Sequence, residues 1–172
     1  MPRVILLFMA LLPLGLASAQ AQHRFAQPST AATKDTFCPS LKAFVASVKP
    51  DEKREFEFQT SWGTGFKVPL EAKGSTSPSL LEKRCVHNGY APAKAVCDSL
   101  MHFGSVEFPG SNAMEAIMCL SPKTQFAGRF QLQRIDAEFT RGTDDRGVDI
   151  TVRLDEDKAL GAMVLRITAD GY

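Results

Sequence analysis

Only one stretch of this chain, Val4 to Leu16, stays apolar and uncharged for any distance, and it is 13 residues long. A helix that spans a bilayer needs ~20 such residues, so no membrane span is expected. Charge of one sign is also missing. Lys and Arg number 20 against 19 Asp and Glu, which leaves no general attraction to phosphate backbones, and nucleic acid is excluded as the expected partner. Histidine is scarce, at three residues. With His23 near the N-terminus, only His87 and His102 remain for chemistry that needs an imidazole. No serine stands in Gly-x-Ser-x-Gly or Ser-x-x-Lys, the local frames of two common serine nucleophiles. No Asn-x-Ser/Thr acceptor occurs, because Asn88 precedes Gly-Tyr and Asn112 precedes Ala-Met.

The single apolar run carries information of its own. Arg3 precedes it, Pro13 lies near its end, and Ala17-Ser18-Ala19 follows. A basic start, a short apolar core and a small-residue site make a secretory signal peptide over residues 1–19. The expected product is soluble and exported, periplasmic or extracellular. Removing 19 of the 172 residues leaves 153 and takes away one charge, Arg3, so that 19 basic residues face 19 acidic ones. That length suits one core and is short for two. Residues 20–36, rich in Gln, Ala, Thr and Ser, lack apolar periodicity and read as a flexible tail. Residues 37–172 read as a single α+β domain.

Within the domain the hydrophobic period changes several times. Leu41, Phe44, Val45 and Val48 recur at helical spacing, and Lys49-Pro50-Asp51 ends that helix. Phe56, Phe58 and Trp62 then share one face of a strand over 55–62. Gly63-Thr64-Gly65 offers a turn into a second strand, Phe66 to Leu70, in which Pro69 demands a sheet edge. Three short helices are expected next. Ser79-x-x-Glu82 forms a capping box, Pro92 suits a first turn, and Asn112-x-x-Glu115 caps the third. A one-residue slip in alternation near Gln133-Arg134 reads as a bulge. Alternation then resumes through Ile135 to Phe139, Val148 to Leu154 and Met163 to Ile167. The expected fold is therefore α+β. It has an antiparallel sheet, an N-terminal hairpin plus a C-terminal three-strand meander, packed with three to four short helices.

Cys38, Cys85, Cys97 and Cys119 are an even set, which in an exported chain reads as two disulfides. Cys97 lies six residues before Phe103, the expected end of its helix, and Cys119 seven after Asn112, the expected start of the next. An antiparallel helix pair would bring these positions opposite one another. That favours Cys97–Cys119 with Cys38–Cys85, and makes Cys85–Cys97 the main competitor.

Two metal readings fail on spacing. Cys85, His87, Cys97 and His102 match no zinc knuckle, and an oxidising compartment favours disulfides over thiolate ligands. Asp144, Asp145 and Asp149 lack the EF-hand order. Neither a metal nor a cofactor is expected. For acid/base work the weak candidates are Asp136 and Glu138, which share a strand face. For binding, Trp62, Thr64 and Phe66 join the only Trp to a glycine turn, and the run through His87 and Tyr90 adds a braced loop. The alternation itself places Trp62 in the core stripe of Phe56 and Phe58. The expected function is a non-catalytic binding protein that presents a disulfide-braced surface to a protein or other macromolecular partner, as an inhibitor or accessory factor. The alternative is a small cell-envelope hydrolase using paired carboxylates.

Overall fold

The computed structural model describes residues 36–63, 65–67, 81–126, 132–143 and 146–172. The first 35 residues, Thr64, the Val68–Leu70 part of the expected hairpin strand, and Asp144 and Asp145 lie outside the described residues. The elements run α1 (Phe37–Ser47), β1 (Lys53–Trp62), β2 (Leu81–Val86), α2 (Ala91–Phe103), α3 (Pro109–Leu120), β3 (Ile135–Thr143), β4 (Arg146–Asp157) and β5 (Ala162–Gly171). All five strands join one antiparallel sheet in the order β2-β1-β5-β4-β3. The fold class is α+β, as the segregation of periods implied.

The three-strand meander is present, and its clean alternation explains why. Ile150, Val152 and Leu154 of β4 and Leu165, Ile167 and Ala169 of β5 are buried on one face. Phe56 and Phe58 extend that face onto β1, opposite Ile167 and Leu165. Leu41, Phe44 and Val45 of α1 close over it, with the Phe44 and Phe56 rings edge to face at 5.3 Å. Burying such side chains stabilises the fold by roughly 1.5–3 kcal/mol each. Across the sheet, α2 packs on β2 and β1, α3 packs on β4 and β5, and α1 packs on both other helices.

Three expectations need correction. The helix expected from the capping box does not form at Leu81 and Glu82; Ser79 and Leu80 lie outside the described residues. Glu82 lies in β2, where Leu81, Lys83 and Cys85 alternate with Glu82, Arg84 and Val86. Pairing with β1 from Glu57↔Val86 to Trp62↔Leu81 overrides the local helix signal. The hairpin partner of β1 is therefore β2, and Phe66 and Lys67 are not strand residues. The helices of the described residues number three. The slip at Gln133-Arg134 is no bulge within a strand, because β3 begins just after it, at Ile135.

The disulfides pair differently from the favoured reading: Cys38 with Cys119 and Cys85 with Cys97. The favoured reading assumed that α2 and α3 lie side by side. Instead α1 contacts both, α2 lies against β2, and Cys97 faces the strand that carries Cys85. The Cα atoms are 5.5 and 5.6 Å apart in the two bridges, ordinary spacing for a disulfide.

The connection between α2 and α3 is fixed by a side chain read as a cap. α3 begins at Pro109, three residues before Asn112, so Asn112 is buried inside the helix. Its Oδ1 accepts from the Ser105 N–H, and its Nδ2 donates to the Ser105 carbonyl, both at 2.8 Å. Asn112→Ala would orphan both backbone groups, and a loss of about 2–3 kcal/mol is expected in urea unfolding. A midpoint unchanged from the parent protein would refute this clamp.

Candidate functional site

The sheet has one face covered by helices and one face of polar side chains. The expected carboxylates lie on the polar face. Asp136 stands opposite Arg153 across β3 and β4, and Arg153 Nη2 donates to Asp136 Oδ2 at 3.0 Å. Both side chains are about half exposed. The row continues through Arg166, opposite Arg153, to Glu57 on β1, whose Oε1 accepts from Arg166 Nε at 2.8 Å. That hydrogen bond holds the Arg166 pKa above its ordinary value, against a smaller desolvation effect. Asp136 and Glu57 thus belong to an open row of two ion pairs whose arginines, Arg153 and Arg166, stand side by side. Glu138 sits two residues along the same strand, above Thr151.

His87 and Tyr90 flank the left-handed Asn88-Gly89 turn that leads from β2 into α2. Tyr90 is half-buried, and its hydroxyl is engaged by Ser47, 2.8 Å from Oγ and 3.2 Å from the carbonyl. The Arg54 guanidinium lies 4.6 Å from its ring centre. Tyr90 is therefore tied into the fold where α1 ends.

Trp62 lies elsewhere. It lies at the far end of β1 on the same helix-facing side, six residues beyond Phe56, or about 20 Å along the strand. The helix-facing stripe stays buried through Thr60 and then breaks, leaving Trp62 54% exposed. The cause is where α2 stops. Its C-cap Gly104 lies directly on Phe58, so close that a Cβ there would come within 2.7 Å of the ring. Among the described residues no helix covers the strand beyond that point. Leu81, opposite Trp62 on β2, is 56% exposed. Next on the same face is Lys83, whose Nζ donates to the Met101 carbonyl at 3.2 Å in the last turn of α2. Burial lowers the Lys83 pKa, because the charged form loses solvent. Met101 itself is exposed. Trp62 and Leu81 thus stand side by side as an exposed patch at the end of the β1–β2 pair, and Lys83, the next position on that face, ties the pair to the last turn of α2.

Phe66 does not join that patch. It is buried under the Arg84 guanidinium, 3.7 Å from the ring centre, and its N–H donates to Glu82 Oε2. Arg84 and Glu82 point to the polar face, so the two aromatics of the Trp62–Phe66 motif lie on opposite faces. Of the five residues singled out for binding, Trp62 is the one held out to solvent as a large aromatic; Thr64 lies outside the described residues. Leu81, Lys83 and Met101 were missed. Their only signal is an exposed pairing register, which no local pattern encodes.

Beneath the patch the hydroxyl of Thr60 is buried without a hydrogen-bond partner among the described residues. Thr60→Val keeps the shape and removes the orphaned group, and about 1 kcal/mol of added stability is expected from the thermal midpoint. A loss of stability would show that the hydroxyl is satisfied.

The sulfurs once considered as zinc ligands, Cys85 and Cys97, are joined to each other. No helix of the described residues is long and apolar enough to cross a membrane. No family model matches the chain, and neither a curated protein nor a solved structure is found to be similar to it.

Proposed function

We propose that this is an exported, non-catalytic binding protein, acting in the periplasm or outside the cell, that presents its disulfide-braced surface to a macromolecular partner as an inhibitor or accessory factor. The observation that carries the reading is the exposure of Trp62 and Leu81, neighbours across the β1–β2 register. Contiguous exposed apolar side chains mark interaction surfaces where scattered ones do not, and Trp is among the residues most enriched at binding hot spots. The strands beneath are anchored by the Cys85–Cys97 bridge, which ties β2 to α2. A surface held rigid before contact loses less freedom on binding. The two disulfides are compatible with an oxidising compartment, and the leader-like N-terminus supports export.

The hydrolase alternative gains less support. Asp136 is already paired with Arg153 on the open face. The discriminating experiment is affinity capture from envelope and culture extracts of the source with the oxidised protein and its Trp62→Ala variant side by side. A partner held by the parent and lost by the variant supports the reading. Equal capture by both would remove Trp62 from the contact surface.

A further inference from the structure

A concavity shares the end of the sheet that carries Trp62 and is built from different residues. It is a cleft of about 670 Å³ between the first turn of α3, the facing ends of β4 and β5, and the segment leading into β3. That volume lies within the range of small-molecule sites. Its walls are held firmly. Gly110 of α3 meets the Leu132 carbonyl so closely that a Cβ would come within 2.3 Å of the oxygen. Glu156 and Met163 are paired across β4 and β5.

The lining divides into two chemical parts. Phe108, Met114, Leu132 and Met163 supply an apolar, polarisable floor, and the Phe108 ring is 48% exposed. Among the described residues, the rim carries carboxylates from Glu107, Asp155 and Glu156 against one cation, Arg134. Arg134 Nε lies 3.8 Å from Asp155 Oδ2, so these two largely cancel. Glu107 and Glu156 remain. The N-terminus of α3 opposes them with roughly half a positive charge, and its Ser111 N–H is already directed to the Phe108 carbonyl at 3.0 Å. Two full negative charges outweigh that partial positive one.

We infer that this cleft binds a small amphipathic organic cation, an ammonium group on an apolar body. The apolar body lies on the methionine and phenylalanine floor, where thioether and ring contacts suit a polarisable ligand. The ammonium faces Glu107 and Glu156. The inference stands apart from the proposed function, because it uses neither Trp62 nor Leu81.

The test is a titration of the oxidised full chain, labelled with ¹³C at its methionine methyl groups. The probes are 4-phenylbutylamine, the matching alcohol and the matching carboxylate. The amine is expected to shift the Met114 and Met163 methyl signals and leave Met101 in place. It is expected to bind about tenfold more tightly than the alcohol, with the advantage fading as salt rises. The double variant Glu107→Gln/Glu156→Gln changes only exposed side chains and is expected to erase that advantage. Its methyl spectrum without ligand reports that the fold is kept. The inference is overturned if the alcohol matches the amine or the carboxylate binds better. It is overturned equally if the Met114 and Met163 signals do not move.

Discussion

Replacing Cys38 and Cys119 together by alanine is expected to lower the unfolding free energy of the oxidised protein by about 4 kcal/mol. The bridge spans 81 positions, and cross-linking such a distance removes a large share of the unfolded chain's freedom. It joins the first turn of α1 to the last turn of α3. α1 belongs to no ladder of strand hydrogen bonds, so apart from this bond and the Ser47–Tyr90 hydrogen bonds its docking depends on burying Phe37, Leu41, Phe44 and Val45. The Cys85–Cys97 bridge closes only 12 positions, and the same relation gives about 3 kcal/mol for its removal. Domains of this size have roughly 5–15 kcal/mol in total, so either loss is large and the first is larger. Urea unfolding of the parent and the two double variants measures both. Equal midpoints for parent and Cys38→Ala/Cys119→Ala would refute the long bridge, as would peptide mapping without reductant that joins Cys97 to Cys119.

What was legible in the sequence follows a physical division. β4 from Ile150 to Asp155 and β5 from Leu165 to Asp170 alternate between core and solvent, and the helices α1 and α2 carry apolar stripes of period 3.6; both signals are local and both were read. β2 was misread because its six residues are individually indifferent. The capping box at Ser79 to Glu82 speaks for a helix, while the case for a strand comes from the free edge of β1, some twenty positions upstream. The cysteine pairing failed for the same reason. It took α2 and α3 as neighbours in space because they are neighbours in the chain, whereas α1 is what contacts both. The site follows the same rule. Trp62 keeps the parity of Phe56 and Phe58, and only the place where α2 ends over Phe58 decides that it is exposed. The cleft draws its lining from Glu107 to Met114, from Leu132 to Arg134, and from Asp155, Glu156 and Met163, a set that no motif could connect.

Trp62→Ala separates folding from binding, and the two effects are expected to differ in size. A buried tryptophan costs ~3–5 kcal/mol when truncated, through lost transfer energy and the cavity left behind. At 54% exposure no closed cavity forms, and a change of less than about 1 kcal/mol in unfolding free energy is expected. Binding should respond far more strongly. Truncating a central aromatic anchor costs 2 kcal/mol or more, roughly thirtyfold in affinity. Leu81→Ala, its cross-strand neighbour, should act in the same direction with a smaller effect. Because Trp62 is the only tryptophan, its fluorescence reports on the site directly. The folded protein should be quenched by acrylamide almost as readily as the unfolded chain, and partner binding should protect it. Weak quenching in the free protein, or a variant that loses several kcal/mol of stability, would return Trp62 to the core. A stable variant that binds its partner as tightly as the parent would leave the exposure without a role in recognition, and the polar face with its Glu57–Arg166 and Asp136–Arg153 pairs would become the surface to test.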